Sequence, residues 1–353
     1  MKHNNKWTRR IRQAGLLGLF FVISIAVQAQ DDGISEVPVL TGSTGFFTRV
    51  TGGQYQHAPS VSPLLLIPMG SKLLIEAKGS FSDTYAEDSK GDYNSTVSYG
   101  LGYAQIDYIA NRYVTLTAGR FIVPFNIYGE RLAPPWIKAL QLSPLTSPIT
   151  SGSSLGGMIR GGIPATKNVN VTYAFYFSAN NTHHLLATDR STGGRISFFM
   201  PRRRLEVGAS FQQVLQLDRA HSSGIFAEWQ PNRLPLTVRS EYAHQSGAKG
   251  TGYWIEPVYR LSQIPHLRRL ELAGRGQQFF HADNLTAKQL KKLGALGRDT
   301  KEGDFGLNYY LNSDVRASAT YGRQFAFHKD ANLWAVGITY RFVMPMWPHG
   351  GAL

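Results

Sequence analysis

The chain of 353 residues contains no cysteine, so no disulfide framework stabilises it. It also lacks any run of about eighteen consecutive apolar residues, the length that a membrane-spanning helix requires. Acidic residues are few, with 23 Asp and Glu against 37 Lys and Arg. Because disulfides cannot stabilise the chain, its stability must have another source, and a closed ladder of backbone hydrogen bonds would supply it.

The first 29 residues have the pattern of a secretory signal peptide. Five basic residues precede an apolar run from Leu16 to Val27, and Val27-Gln28-Ala29 forms a small-residue cleavage site. The apolar run is too short to anchor the chain in a bilayer. We predict export and removal of residues 1–29, which lowers the formal charge from +14 to about +9.

Residues 30–70 are predicted to form an irregular periplasmic segment. Pro38, Pro59, Pro63 and Pro68 interrupt it, and proline cannot donate a hydrogen bond to a β ladder. The segment could act as a plug-like lid, or it could supply an extra pair of strands.

From Ser71 onward, short stretches alternate apolar and polar residues. In the last one, Trp334, Val336 and Ile338 share one face, and Ala335 and Gly337 share the other. This period of two is typical of β-strands with two different faces. We count fourteen strands within residues 71–342.

The links between these strands alternate between tight turns and longer polar loops, of which 124–154 and 280–302 stand out. Outer-membrane barrels place short turns at the periplasmic end and long loops outside, whereas a soluble β-sandwich does not separate loop lengths in this way. The pattern predicts an all-β fold, a transmembrane antiparallel β-barrel of fourteen strands whose apolar face meets lipid.

Two segments stand out in the sequence. They are Ala118-Gly119-Arg120-Phe121-Ile122-Val123-Pro124-Phe125, followed by Tyr128-Gly129-Glu130-Arg131-Leu132, and Gly306-Leu307-Asn308-Tyr309-Tyr310-Leu311-Asn312. Both resemble the phosphate-selective porin O/P family. The first is similar to a motif that ends a barrel strand and opens a constriction loop, and the second to the penultimate hairpin. The resemblance covers most of residues 71–342 and implies sixteen strands, the alternative to our count. A tail, Val343–Leu353, follows the barrel.

The basic residues on the polar face are assigned to the lumen, because charge facing lipid is costly. These pore-lining candidates are Arg160, Arg195, Arg239, Arg260, Arg275, Arg316 and Arg341. The predicted constriction set is Arg120, Glu130, Arg131 and Lys138, faced by Arg239, Arg260 and Arg275. Arg120 shares its face with apolar residues, so its strand has a conflict of phase. Arg and Glu on neighbouring strands could pair across the wall, and the positive charge left over would favour anions weakly.

Other chemistry finds little support in the sequence. His183-His184 has no third ligand at metal spacing, so we predict neither a metal site nor a cofactor. The basic residues are spread one per strand, which is not the pattern of a nucleic-acid surface.

These observations predict an outer-membrane porin of a Gram-negative-type bacterium, a passive aqueous channel for small polar solutes with a mild preference for anions, phosphate among them. Its expected partners are outer-membrane lipid, lipopolysaccharide and, as is usual for the porins it resembles, two further copies in a homotrimer. The alternatives are a non-channel barrel with a structural or adhesive role and, second, an outer-membrane barrel enzyme.

Overall fold

The computed structural model describes residues 37–88, 90–150, 152–183, 185–216, 219–246, 250–281, 297–326 and 330–346. The predicted signal peptide lies outside the described residues, as do residues 347–353 of the predicted tail. The first three residues of that tail, 343–345, belong to the last strand of the sheet. Within these ranges, none of the helices has the length and apolar character that crossing a bilayer would demand.

The described chain forms one closed antiparallel barrel of sixteen strands. Each strand pairs with its neighbours in sequence, and β1 also pairs with β16, so that the sheet has no free edge. The strands are β1 (Val39–Thr51), β2 (Gln54–Met69), β3 (Leu73–Glu87), β4 (Tyr93–Asn111), β5 (Val114–Ile122), β6 (Ser153–Thr166), β7 (Val169–Ser178), β8 (Ser191–Met200), β9 (Leu205–Val214), β10 (His221–Trp229), β11 (Leu236–Gln245), β12 (Gly250–Arg260), β13 (Leu270–Phe280), β14 (Thr300–Tyr310), β15 (Val315–Ala326) and β16 (Ala331–Pro345).

The prediction of fourteen strands was wrong, and the alternative of sixteen agrees with the structure. The additional pair, β1 and β2, occupies most of the segment expected to be irregular. Pro59 and Pro63 lie within β2, and the β2–β3 pairing is interrupted opposite each of them while its register stays constant on both sides. A barrel strand therefore tolerates these prolines at the cost of local hydrogen bonds, because the pairing with β1 remains complete.

The period of two sorts side chains between the outside and the lumen. In β16, Trp334 and Val336 are about half exposed, at 49% and 53%. Ala335, which lies between them, and Thr339, further along the strand, are fully buried. Such alternation gives an apolar outer surface and a more polar interior, the arrangement that a barrel in lipid needs.

Connections differ between the two ends of the barrel. The turn end, where Val39 pairs with Pro345, carries mostly short connections such as 112–113, 167–168 and 311–314, but also the nine-residue connection 261–269. The loop end carries the long connections 123–152 and 281–299, but also the two-residue turn Gly52-Gly53 between β1 and β2. Both glycines have positive φ, 59° and 87°, which a tight turn of this kind requires. This turn breaks the expected alternation of link lengths.

Residues 123–152, called the inner loop below, fold back into the lumen. The inner loop contains two short helical turns, a π-helical turn at Tyr128–Leu132 and an α-helical turn at Ser147–Thr150. Its apolar side chains form the centres of three buried clusters with residues of the wall, including Phe125, Ile127 and Leu140. Each such side chain, when fully buried, contributes about 1.5–3 kcal/mol to stability.

Candidate functional site

The first part of the inner loop is bound to the wall through a buried carboxylate. One oxygen of Glu241 on β11 accepts the backbone N–H groups of Ile127 and Tyr128 at 2.7 and 2.6 Å. Its other oxygen accepts the indole N–H of Trp254 at 3.1 Å. A carboxylate that receives three donors is well suited to satisfy a loop that would otherwise bury unpaired backbone groups.

Two ion pairs bind the same part of the inner loop to β8 and β9. Arg131 donates two hydrogen bonds to Glu206, at 2.7 and 3.1 Å, in the bidentate geometry that guanidinium groups favour. Arg195 donates to the carboxylate of Glu130 at 2.5 Å and to the backbone oxygen of Asn126 at 2.7 Å. The two pairs have opposite polarity, because the loop supplies the cation in one and the anion in the other.

The remainder of the inner loop lies along β13, β14 and β15. Its backbone oxygens at Pro135, Ala139 and Leu142 accept hydrogen bonds from Arg316, Asn308 and Arg275 at 2.6, 2.8 and 2.8 Å. Gly306 on β14 permits this close approach, since a Cβ there would lie 2.5 Å from the side chain of Leu140. The hydrogen bonds and ion pairs of the inner loop therefore reach the wall from β8 to β15, and its apolar side chains also share a buried cluster with Phe121 of β5, Met158 of β6 and Tyr176 of β7.

The opposite part of the lumen remains open. A cavity of about 360 Å³ separates the inner loop from β16 and β1–β6, and we call it the side cavity. Its wall residues include Glu76, Lys78, Tyr103, Gln105, Arg160 and Arg341, and its loop residues include Glu130, Pro134, Trp136 and Ile137. Charged, aromatic and apolar groups thus face one another across the opening.

Several charges at the side cavity are neutralised locally. Arg160 pairs with Asp107 at 2.7 Å, and Asp107 also accepts hydrogen bonds from Thr117 and Gln105. Glu130 pairs with Arg195, as described above. Among the described residues, Lys78 and Glu76 form no ion pair within 4.0 Å. Fixed charge of both signs therefore faces the open space.

The seven predicted pore-lining arginines occupy different places in the lumen. All seven lie on the lumen face of their strands, but only Arg160 and Arg341 border the side cavity. Arg239 and Arg275 lie behind the inner loop, where Glu256 and Asp304 pair with them, and Arg275 is only 4% exposed. Arg195 and Arg316 bind the loop itself, and Arg260 lines a second cavity at the turn end.

The predicted constriction set is corrected accordingly. Arg239 and Arg275 do not face the inner loop across an opening, because the loop packs on their side of the barrel, whereas Arg260 faces Trp136 of the loop across a cavity at the turn end. Glu130 does border the side cavity, whereas Arg131 is committed to Glu206. Lys138 lies on the loop with its Nζ 3.4 Å from the hydroxyl of Ser143.

Arg120 lies on the outer face, so its assignment to the pore is not supported by its position. It pairs in register with Leu155 and Ala104, while its neighbours Gly119 and Phe121 face inward. Its guanidinium donates to the backbone oxygens of Leu101 and Ala187 near the loop end. This position explains the conflict of phase seen in the sequence, because Arg120 follows the outward phase of Leu116 and Ala118.

The sequence reasoning missed most residues on the open side. A strict period of two would place Tyr103 on the same outward face as Tyr99 and Leu101, but the register of β3 and β4 shifts between Lys78 and Gly79 and turns Tyr103 inward. Gly102, which lies between Leu101 and Tyr103, was the only local signal of such a bulge. Within the part of the chain that the structure describes, no group of three His, Cys, Asp or Glu side chains could hold a metal ion.

No family model and no curated protein matches this sequence. Solved structures do match. OmpT of Vibrio cholerae superposes with a TM-score of 0.58 at 8% identity, over 89% of this chain and all of that one. OmpF of Salmonella typhi gives 0.58 at 14% identity over 86% and 97%, and the anion-selective porin of Comamonas acidovorans gives 0.55 at 10% identity over 86% and 99%. The chain therefore has the closed sixteen-stranded fold of outer-membrane porins.

Proposed function

We propose that this chain is an outer-membrane porin, a passive aqueous channel for small polar solutes. One observation carries the proposal, namely that the inner loop leaves the side cavity open along β16 and β1–β6 instead of filling the lumen. The apolar outer face supports placement in a bilayer, and we propose the outer membrane, facing lipopolysaccharide at the loop end. Assembly as a homotrimer belongs to the same proposal.

The preferred solutes are proposed to be anions, with a modest margin. The residues that line the side cavity include three bases, Lys78, Arg160 and Arg341, and two acids, Glu76 and Glu130. Arg160, Arg341 and Glu130 each have an ion-pair partner. A small surplus of fixed positive charge lowers the barrier for anions only slightly. One of the similar structures is described as an anion-selective porin, which is compatible with this sign. Phosphate preference, and membership of the phosphate-selective porin O/P family, stay predictions.

Reconstitution of the mature chain into a planar bilayer tests the proposal. We expect discrete conductance steps and, in a gradient of KCl, a reversal potential of the sign set by chloride. Absence of steps from a correctly folded barrel would exclude the channel and favour a structural or adhesive role. A potassium-selective result would retain the channel and refute the anion preference, and assays with phospholipid and peptide substrates address the enzyme alternative.

A further inference from the structure

A second cavity opens at the turn end of the barrel and is lined mainly by basic and aromatic groups. Its volume is about 480 Å³, and its walls are formed by Trp136, Arg260, Arg269, Tyr310, Asn312, Ser313 and Arg341. Trp136 and Arg341 also border the side cavity, so the two cavities are neighbours. We call this second space the turn-end cavity.

Guanidinium groups and aromatic rings alternate along the wall of the turn-end cavity. The Arg260 guanidinium lies 4.8 Å from the ring centre of Tyr310, and that of Arg316 lies 6.0 Å from Tyr310 and 5.5 Å from Trp136. Arg341 lies 5.2 Å from Trp136. The two rings meet edge to face, with their centres 6.2 Å apart. Cation–π contacts of this kind occupy the faces of the arginines and fix their orientation.

Positive charge exceeds negative charge at the turn-end cavity. Three arginines line it, Arg260, Arg269 and Arg341, and the nearby carboxylates are those of Asp314 and Glu271. Asp314 pairs with Arg341 at 3.1 Å, and hydrogen bonds from Ser313 and Arg341 lower the pKa of its carboxyl. Glu271 accepts hydrogen bonds from Asn308 and Tyr310. Across the described residues, no carboxylate lies within 4.0 Å of Arg260, Arg269 or Arg316.

The arginines that line the cavity have unused hydrogen-bonding capacity. Among the described atoms, Arg269 donates only to the backbone oxygen of Leu311, at 3.0 Å. Because aromatic rings carry partial positive charge at their edges, Trp136 and Tyr310 also tolerate an anion between the guanidinium groups.

We propose that the turn-end cavity binds a small organic dicarboxylate, with Arg260 and Arg269 as its principal ligands. Arg260 and Arg269, which form no ion pair with a described carboxylate, match the two carboxylates of such a ligand, and guanidinium groups bind carboxylates in a bidentate manner. The cavity falls within the range of about 300–1,000 Å³ that is usual for organic ligands, which exceeds what an inorganic anion fills. The proposal rests on the proposed channel, for which this site would name a solute class.

Isothermal titration of the folded mature chain in detergent tests the site without any need for conductance. The probes are succinate, its neutral diamide succinamide, and inorganic phosphate. We expect succinate to bind, succinamide not to bind, and phosphate to bind more weakly than succinate. Absence of succinate binding, or phosphate binding as tight as that of succinate, overturns the assignment.

Two double variants locate the binding. Arg260→Gln with Arg269→Gln is expected to weaken succinate binding by about tenfold or more, which corresponds to about 1.4 kcal/mol. The control, Arg202→Gln with Arg203→Gln, removes the same charge from an exposed turn at the same end and is expected to bind as the wild type does. A gel shift on heating verifies that each variant is a closed barrel, and equal weakening in both variants refutes the site.

The two proposals fail in different ways. A chain that conducts ions but does not bind succinate retains the channel and loses the site. A chain that binds succinate through Arg260 and Arg269 but never conducts retains the site and loses the channel.

Discussion

The carboxylate of Glu241 accepts the backbone N–H of Tyr128 at 2.6 Å, and this contact binds the inner loop to β11. Replacing Glu241 with Ala leaves two backbone N–H groups and the indole of Trp254 without an acceptor, at about 1–3 kcal/mol for each buried group. We expect a lower temperature for the heat-induced gel shift and a noisier single-channel current. Glu241→Gln keeps one oxygen acceptor, so its transition temperature should lie between those of the wild type and the Ala variant. An Ala variant with the wild-type transition and a steady current would contradict this role.

Arg195 neutralises Glu130 at the edge of the side cavity, so its removal should change ion selectivity. Arg195→Ala leaves the carboxylate of Glu130 unpaired beside the open space, and the reversal potential in a KCl gradient should move toward the cation side. Glu130→Gln should move it toward the anion side. Arg202→Ala, in an exposed turn, is the control and should leave the potential unchanged. If the reversal potential shifts with the same sign in the Arg195 and Glu130 variants, the ion pair between these residues is not the cause of the change in selectivity.

Trp136 packs on the loop side of both cavities and is expected to limit their width. Trp136→Ala removes cation–π contacts with Arg316 and Arg341, each of which contributes about 0.5–2 kcal/mol. We expect a larger conductance and, in liposome swelling, entry of larger sugars than the wild type admits. Trp229, which is 44% exposed on the outer face, provides the control, since Trp229→Ala should leave the size limit unchanged. An unchanged limit for the Trp136 variant would mean that other residues set the width.

The interruption of the β2–β3 pairing at Pro63 can be repaired. Pro63→Val supplies the missing N–H donor opposite Gly79, where the pairing is absent, and one hydrogen bond contributes about 0.5–1.5 kcal/mol. We expect slower hydrogen exchange of the β2–β3 amides and a slightly higher transition temperature. Pro68 is the matched control, because its pairing with Leu74 is already present. If Pro68→Val slows exchange as much as Pro63→Val, the hydrogen bond is not the cause.

The sequence predicts the faces of most strands because a half-lipid, half-water environment imposes a period of two. Trp334, Val336 and Ile338 point outward as that period requires. The first two strands were predicted to be irregular because proline cannot donate to a β ladder, and this rule considers each strand alone. The complete pairing of β2 with β1, which compensates for Pro59 and Pro63, is not visible locally.

The position of the inner loop could not be predicted from local sequence. The motif around Glu130 and Arg131 indicates that a loop enters the lumen, but not against which part of the wall it packs. That choice depends on contacts more than a hundred residues apart, such as those between Ile127 and Glu241. Arg239 and Arg275 were therefore placed across an opening when they lie behind the loop.

Because the inner loop packs on β5–β15, the barrel separates two tasks between these strands and β1–β4. Substitutions under the loop would disturb it and with it the stability of the interior. Substitutions on β1–β4, where Lys78 and Tyr103 project into free space, would meet few neighbours. Permeability could consequently be redesigned, or could diverge in evolution, on one part of the barrel while the other part keeps the fold intact.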